Sequence, residues 1–122
     1  MLEYTVSAKR LDDTGSEATA RGAHIILETG MAGRPDALNP AELLLASLAT
    51  CMIKGAERVA PMIKFDLRGL EVSLHGQIQD SPPKLVAIIY ELAVDTSETD
   101  DRIELLHKNI RKYGTISNTL HG

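Results

Sequence analysis

The sequence predicts a single α+β domain over residues 1–122, because strand-like and helix-like segments occur in separate runs along the chain. Three short strand-like segments come first. A strongly apolar helix, two long strands and an amphipathic helix follow. This order differs from the regular strand–helix alternation that builds a parallel sheet. We therefore expect antiparallel sheets that surround a buried central helix.

The first 28 residues are predicted to form an antiparallel meander. At the N-terminus apolar residues alternate with polar ones, the period of a half-buried strand, at Leu2, Tyr4, Val6 and Ala8. A turn over residues 12–15 precedes two short strands, 17–21 and 23–28, which meet near Gly22. Residues 29–38 are interrupted by glycine and proline and form the longest predicted loop.

The central helix has a clear predicted start. Asn39 is a preferred N-cap and Pro40 suits the first helical position. Glu42 follows at N3, where its side chain can reach back to the backbone of the cap. From Pro40 to about Val59 the helix is apolar around nearly its whole circumference, which predicts burial on every side, and Pro61 is expected to stop it.

The rest of the chain predicts a hairpin and a second helix. Strands over 66–79 and 84–94 flank a turn at two prolines. Either Ser97 or Thr99 can cap the following helix, whose apolar stripe ends at Tyr113. Gly114 lies where a helix-terminating C′ glycine is expected.

Composition narrows the classes of partner. A net charge of −4 and a pI near 5.5 give no electrostatic reason to bind nucleic acid or an anionic membrane. The basic residues Lys108, Arg111 and Lys112 are interpreted as complements to a helix dipole. The first ten residues lack the pattern of a secretory signal, and no apolar run is long enough to span a bilayer, so a cytoplasmic location is expected.

Cys51 is the only cysteine, so no intramolecular disulfide can form. A lone cysteine in an apolar helix is commonly an unreactive buried residue, because burial disfavours the thiolate that acts as nucleophile. Reactivity therefore requires a nearby cation or hydrogen-bond donors. Lys54 and Arg58 share the helix face of Cys51; the ammonium of Lys54 either folds back towards the sulfur or extends into solvent. Gly55 leaves space there for a substrate or for a closely packed backbone.

The other polar residues form no recognisable chemical site. The histidines lack the spacing of metal ligands, so no metal is expected; they are His24, His75, His107 and His121. Ser117 lacks the strained turn of a hydrolase nucleophile and is interpreted as a cap or turn residue. No glycine-rich phosphate loop is present, and no cofactor is expected.

Two segments resemble motifs of the OsmC/Ohr family of thiol-dependent hydroperoxide reductases. Residues 39–51, N-P-A-E-L-L-L-A-S-L-A-T-C, are similar to the helix that carries the family's peroxidatic cysteine. Residues 113–120, Y-G-T-I-S-N-T-L, are similar to its second motif, commonly C-P-x-S-N. The resemblance implies an intertwined homodimer that reduces organic hydroperoxides or peroxide. In this reaction a Cys51 thiolate attacks the O–O bond and becomes a sulfenic acid, which a thiol then reduces.

The chain departs from the family pattern at two places. Gly114 occupies the position of the resolving cysteine and Thr115 that of the following proline. Any sulfenic acid at Cys51 must therefore be resolved by an external thiol or dithiol, or by a cysteine on another molecule. The hydroperoxidase branches place a glutamate ten residues before the cysteine, where this chain has Ala41, and Glu42 stands at nine. Glu42 is a candidate catalytic residue or only an N3 cap, since nine helical residues place it on the face opposite Cys51. The family's supporting arginine has three candidates, which are Arg10, Arg21 and Arg34.

Two functions remain open from the sequence. The first is a cytoplasmic one-cysteine peroxidase with a pocket for small hydrophobic hydroperoxides, used in oxidative stress defence. The second is a non-catalytic dimer of the same fold that binds a small apolar ligand or a protein partner. The missing resolving cysteine favours the second.

Overall fold

The structure is a computed structural model that describes residues 1–121, without the side chain of His121. Its contacts define two compact units, one over Met1–Leu44 and the other beginning at Leu45. The first unit contains strands β1 (Ser7–Arg10), β2 (Gly15–Ala20) and β3 (Ala23–Glu28). Helix α1 (Pro40–Met62) begins in this unit and continues into the second. Strands β4 (Gly69–Asp80) and β5 (Pro83–Asp95) and helices α2 (Asp100–Tyr113) and α3 (Thr115–His121) complete the second unit.

The predicted N-terminal meander is confirmed. β1, β2 and β3 pair in sequence order as an antiparallel sheet. The turn before β2 is held by Asp12, whose Oδ1 accepts hydrogen bonds from Thr14 N at 2.8 Å and Thr14 Oγ1 at 2.7 Å. These bonds hold the pKa of the Asp12 carboxyl below its usual value, and the bond from the Thr14 hydroxyl has the larger effect.

The predicted half-buried strand over residues 2–8 is wrong for its first part. β1 begins only at Ser7, and the side chains of Leu2, Tyr4 and Val6 are 82%, 81% and 66% exposed. Ser7 pairs with Thr19, and β2 ends at the next residue, Ala20. The residues before Ser7 therefore have no strand partner within the sheet.

The predicted start of α1 is confirmed as a capping box. Glu42 N donates to Asn39 Oδ1 at 2.8 Å, and Asn39 N donates to Glu42 Oε1 at 2.9 Å. Just before it, Leu38 O accepts a hydrogen bond from Glu28 N at 2.8 Å, which ties the end of the long loop to β3. The two bonds of the box satisfy backbone donors that a helix start otherwise leaves unpaired.

The end of α1 differs from the prediction that Pro61 stops the helix. Pro61 lies inside the last turn, and the helix ends after Met62. Lys64 adopts a left-handed backbone with φ of 53°; Lys64 N bonds to Pro61 O and Phe65 N to Ala60 O. This is the Schellman pattern, in which a left-handed residue satisfies the last carbonyls and turns the chain back. Phe65, 7% exposed, then enters the core.

One stripe of α1 forms the core of the second unit. It packs with Phe65 and two residues of α2 in a buried cluster: Leu48, Met52, Ala56, Val59, Ala60, Leu106 and Ile110. Apolar residues of β4 and β5 pack against this cluster. The predicted burial on every side is not observed, since Leu44 is exposed and Ile53 only half-buried. Within the described part of a single chain, only one face of α1 is fully buried.

The predicted hairpin is confirmed, with β4 starting later than expected. β4 and β5 form an antiparallel ladder from Gly69 opposite Asp95 to Asp80 opposite Pro83. Asp66, predicted as part of the strand, instead accepts a hydrogen bond from Thr96 Oγ1 at its carbonyl, at 2.6 Å. That contact binds the segment before β4 to the loop before α2.

The cap of α2 is Thr99, the second of the two predicted alternatives. Thr99 Oγ1 accepts from Arg102 N at 3.4 Å, whereas Ser97 Oγ bonds to the Asp66 carboxylate. Arg102 also donates to the carbonyls of Ile63 and Lys64, just after α1. Its guanidinium thus joins the start of α2 to the end of α1.

Replacing Leu106 with alanine should lower the free energy of unfolding by about 2–5 kcal/mol, because its side chain is 1% exposed and a cavity would remain. Leu105→Ala is the matched control, since Leu105 is 38% exposed, and it should cost no more than about 0.5 kcal/mol. Urea unfolding followed by circular dichroism measures both. Equal losses in the two variants would show that α2 does not present Leu106 to the core.

Candidate functional site

Cys51 lies on α1 at the edge of the core. Its residue is half-buried, and its neighbours Leu48 and Met52 are buried. Cys51 Sγ lies 3.8 Å from the position that a Cβ atom would occupy on Gly114. The two motifs that resemble the OsmC/Ohr family are therefore neighbours in the structure, although they are far apart in sequence.

The packing of α2 against α1 explains this juxtaposition. A Cβ on Gly55 would meet Ile110 Cγ2 at 3.5 Å, so the two helices approach closely at that point. Cys51 lies one turn before Gly55, and Gly114 lies one turn after Ile110. Two helices running in opposite directions from the Gly55–Ile110 contact place Cys51 beside Gly114. The question left open for Gly55 is thus answered: its free side is filled by a packed helix.

Gly114 does not have the role that the sequence predicted. Its φ of −76° and ψ of 117° are accessible to any residue, so it is not a left-handed C′ glycine. Space is restricted instead. A Cβ there would lie 3.1 Å from Ile110 O and 3.3 Å from Ser117 Cβ. A side chain at position 114 would therefore be crowded by Ile110 and Ser117, beside the Cys51 sulfur.

The sulfur has no polar partner among the residues that the structure describes. Cys51 is a free thiol, and its Sγ makes no hydrogen bond to a described atom. Lys54 and Arg58, the cations on its helix face, both have exposed side chains. The alternative in which Lys54 extends into solvent is the one observed.

Glu42 and the candidate arginines all lie in the first unit, away from one another's side chains. The Glu42 carboxylate accepts the hydrogen bond from the Asn39 backbone that completes the capping box. Arg34 Nε donates to Asp36 Oδ1 at 2.6 Å; this bond raises the pKa of Arg34 and lowers that of Asp36. Arg21 occupies a turn with φ of 60°, and Arg10 lines a pocket of about 420 Å³. Across residues 1–121, no arginine is paired with Glu42.

A second feature was missed by the sequence analysis. A groove of about 650 Å³ lies between α2 and α3, with Lys108, Arg111 and Lys112 among its lining residues. The sequence showed these cations at the end of a helix, and Arg111 and Lys112 do lie in the last turn of α2. What the sequence did not show is the short helix α3, because Thr115–His121 has few apolar residues and no strong cap. That helix forms the opposite wall.

His107 also lines the groove, and its ring is partly buried against Tyr90. Its Nε2 lies 2.8 Å from Tyr90 Oη, and the two rings meet edge to face. Burial lowers the pKa of His107, and the positive charge of Arg111 lowers it further. Within the part of the chain described here, no three His, Cys, Asp or Glu residues lie close enough to bind a metal.

Ser117 also differs from its predicted role. It was interpreted as a cap or turn residue, but it lies within α3 and faces Gly114. The helix is held at its start by Asn118, whose backbone N–H donates to Gly114 O at 2.9 Å and whose Nδ2 donates to Lys112 O at 3.3 Å. The first of these bonds is an ordinary helical bond, and the second satisfies a carbonyl near the end of α2, so neither is an N-cap of α3.

A family model described as OsmC-like protein matches residues 33–122, which include both motifs. The chain belongs to the OsmC-like family. Among solved structures, an OsmC-like protein from Mycoplasma pneumoniae has a TM-score of 0.89 at 22% identity, over 99% of this chain and 89% of that one. No curated protein sequence matches.

Two further structures belong to proteins named for hydroperoxide resistance. The organic hydroperoxide resistance protein OsmC of Legionella pneumophila has a TM-score of 0.72 at 20% identity, over 100% of this chain and 91% of that one. OhrB of Bacillus subtilis, an organic hydroperoxide resistance protein, has a TM-score of 0.65 at 21% identity, over 99% of this chain and 92% of that one. The TM-scores show a shared fold, and they confirm the predicted α+β architecture with antiparallel sheets. Among the described helices, none combines the length and apolar character needed to cross a bilayer.

Replacing Gly114 with cysteine should allow an intramolecular disulfide to Cys51. The φ and ψ at position 114 are accessible to any residue, and the new Cβ would lie 3.8 Å from the existing sulfur. A disulfide places each Cβ about 3 Å from the far sulfur, so a shift of under about 1 Å, which also relieves the contact with Ile110 O, would allow the bond. After treatment with diamide, intact mass should show the loss of two hydrogens and both thiols should resist alkylation. Thr115→Cys, at the exposed neighbouring position, is the control and should keep two free thiols. Two free thiols in Gly114→Cys would contradict the proximity of the motifs.

The lowered pKa of His107 makes stability depend on pH. The fold favours the neutral ring, so this contribution is present above the unfolded pKa of about 6.5 and is lost as pH falls through the lower folded pKa. The free energy of unfolding should therefore rise from about pH 5.5 to about pH 7.5 more steeply in the native protein than in His107→Gln. Urea titrations at both pH values measure this difference. His75→Gln, which changes an exposed histidine, should leave the slope unchanged, and an equal effect in both variants would contradict the assignment.

Proposed function

We propose that this protein reduces hydroperoxides, with Cys51 as the nucleophile. The observation that carries the proposal is the position of Cys51 Sγ, 3.8 Å from the Cβ site of residue 114. In two-cysteine members that the sequence resembles, a resolving cysteine occupies this site. The chain therefore keeps the geometry of a peroxidatic pair although the second sulfur is missing. Family membership and the hydroperoxide-resistance proteins of the same fold support the same chemistry.

The first step would form a sulfenic acid. The Cys51 thiolate attacks the terminal oxygen of the hydroperoxide, an S–O bond forms and the O–O bond breaks. The alkoxide that leaves takes up a proton and becomes an alcohol. The peroxide is reduced by two electrons, and the sulfur is oxidised by the same two.

The second half of the cycle would use two external thiols. With Gly114 in place of a resolving cysteine, the sulfenic acid has no partner sulfur in the chain. One thiol forms a mixed disulfide with Cys51 and releases water. A second thiol attacks that disulfide and releases the Cys51 thiolate. No metal or organic cofactor is required by this sequence of steps.

The side chains around Cys51 favour an apolar hydroperoxide. Leu48 and Met52 are buried next to it on α1, and Ile110 of α2 lies one turn from Gly114. An alkyl or aryl group would bury apolar surface against such residues, whereas hydrogen peroxide would not. We infer a small hydrophobic hydroperoxide as substrate and a role in oxidative stress defence in the cytoplasm.

We propose that the working form is a homodimer. Leu2, Tyr4 and Val6 are exposed in one chain, and part of α1 is uncovered although the helix is strongly apolar. A second copy would bury these residues, and in the intertwined homodimer that the resemblance implies it would also supply further groups near the sulfur. Sedimentation analysis should give twice the mass of one chain at micromolar concentration, and a monomer would contradict the proposal.

A second candidate function is a non-catalytic protein of the same fold that binds a small apolar ligand or a protein partner. The observation that favours it is the absence of a polar partner for Cys51 Sγ among the described residues, together with glycine at position 114. In that case Cys51 would be a core residue, and its replacement would change only stability.

Replacing Cys51 with serine should reduce consumption of cumene hydroperoxide, in the presence of dithiothreitol, to the uncatalysed rate. The sulfur is the attacking atom, and a serine hydroxyl is not a substitute at neutral pH. Ser47→Ala, one turn earlier on α1, is the control and should retain the native rate. A ferric-xylenol assay of remaining peroxide measures both variants. If the native protein and Cys51→Ser consume peroxide equally, the binding-protein function remains.

A further inference from the structure

The groove between α2 and α3 is basic, although the chain as a whole is acidic. Lys108, Arg111 and Lys112 contribute three cations to its lining, and Glu104 contributes one carboxylate. The net charge of the chain is −4, so this patch opposes the charge of the rest of the molecule. Neither Cys51 nor any other residue of α1 lines the groove, which is therefore separate from the site proposed for peroxide.

The charged groups of these three residues are not used by the fold. Across the described side chains, none of the three forms an ion pair with a carboxylate. The carbonyl of Lys112, near the end of α2, accepts a hydrogen bond from Asn118 Nδ2 at 3.3 Å and not from a cation. The Lys112 ammonium lies 5.2 Å from the ring centre of Tyr113, which is a weak attraction at an exposed position. A favourable interaction with the dipole of α2 remains, but it leaves the hydrogen-bond donors of all three side chains available to a ligand.

The spacing of these residues brings like charges together. Lys108 and Lys112 lie four residues apart on α2, and Arg111 lies three residues after Lys108, so all three lie on neighbouring parts of one helix face. Like charges at this spacing repel each other and destabilise a helix. An anion with more than one negative charge, bound between them, would replace this repulsion with attraction.

We propose that the groove binds a small molecule through a phosphoryl group. A phosphoryl group carries nearly two negative charges at neutral pH, on three acceptor oxygens. The planar guanidinium of Arg111 can donate two parallel hydrogen bonds to it, and Lys108 and Lys112 supply compact positive charges. Ser117 adds a hydroxyl from the wall formed by α3, and the volume of about 650 Å³ is of the size that accepts a small molecule. A carboxylate has one charge and two oxygens, so it would use fewer of these donors.

His107 provides a reporter of occupancy. It lines the groove, and its Nε2 lies 2.8 Å from Tyr90 Oη. Burial lowers the pKa of His107, and the positive charge of Arg111 lowers it further. The other charged residues of the groove wall next to it on α2 are Glu104 and Lys108. An anion bound to Arg111 would offset the charge of the guanidinium, so it should raise the pKa of His107.

Titration of the full chain with pyrophosphate tests the proposal, with citrate as a carboxylate probe of similar charge. Isothermal titration calorimetry at low ionic strength and neutral pH should show saturable binding of pyrophosphate, and citrate should bind about threefold more weakly or worse. Proton NMR should show a higher pKa for His107 when pyrophosphate saturates the site. The exposed His24 and His75 are internal controls, and their titration curves should not move.

Arg111→Gln should weaken the binding of pyrophosphate about two- to fivefold and remove most of its effect on His107. Added salt should weaken binding by the native protein, because screening reduces the attraction between exposed charges. Lys84→Gln removes one positive charge outside the groove and should leave both measurements unchanged. Circular dichroism shows whether each variant is folded.

Three results would overturn the proposal. They are no saturable binding of pyrophosphate, equal binding by the native protein and Arg111→Gln, and equal weakening by Lys84→Gln. Citrate bound as tightly as pyrophosphate would overturn the assignment of a phosphoryl group. A short oligothymidylate bound more tightly than pyrophosphate would overturn the assignment of a small molecule and indicate a nucleic-acid surface. None of these results depends on Cys51, so the proposed peroxide chemistry stands or falls separately.

Discussion

The close packing of α2 on α1 places Cys51 beside Gly114, and the rest of the account depends on that contact. Gly55 on α1 and Ile110 on α2 meet at van der Waals distance, and Ile110 is buried. From that contact the two helices run in opposite directions, so one turn brings Cys51 and Gly114 together. The buried cluster around Val59 and Leu106 stabilises the pair over its length, because apolar burial contributes free energy in proportion to area.

Glycine at position 114 changes what this packing can do. A cysteine there would hold a second sulfur in the same closed space, and oxidation would end in a disulfide within the chain. A glycine supplies no sulfur, and the point where its Cβ would stand is already bounded by Ile110 O and Ser117 Cβ. Regeneration of an oxidised Cys51 would therefore depend on a sulfur from outside the chain. The Cys51 sulfur is half-buried and has no polar partner among the described residues. In the proposed dimer, the second copy would supply hydrogen-bond donors or cations that stabilise its thiolate.

Much of the fold followed from local sequence signals. The capping box of Asn39 and Glu42 is a purely local interaction, and it was predicted to the residue. Alternating patterns located the β4–β5 hairpin for the same reason. The strand predicted over residues 2–8 was partly wrong, because its length is limited by the point at which its partner β2 ends. The alternation of polar and apolar residues does not encode that point. The predicted end of α1 was wrong because the residue that ends the helix in a left-handed conformation is Lys64. A lysine in the sequence does not mark such a position, whereas a glycine does.

The site was predictable only in part. Cys51 was identified from its sequence context, but its neighbour Gly114 was assigned a backbone role that its φ and ψ exclude. Contact between residues so far apart depends on helix packing, and no local pattern reports it. The basic groove was missed for a similar reason: the charges were visible, but the opposite wall is a short polar helix. The sequence thus named candidate residues, whereas their proximity required the structure.

The most direct test of the account is the oxidation state of Cys51 after one equivalent of cumene hydroperoxide. Intact mass spectrometry in the presence of dimedone, which traps sulfenic acid, measures the labelled fraction. The account predicts near-stoichiometric labelling at neutral pH, with peptide mapping that places the label on Cys51. An unlabelled protein whose peroxide remains in solution would contradict the claim that this sulfur is a nucleophile.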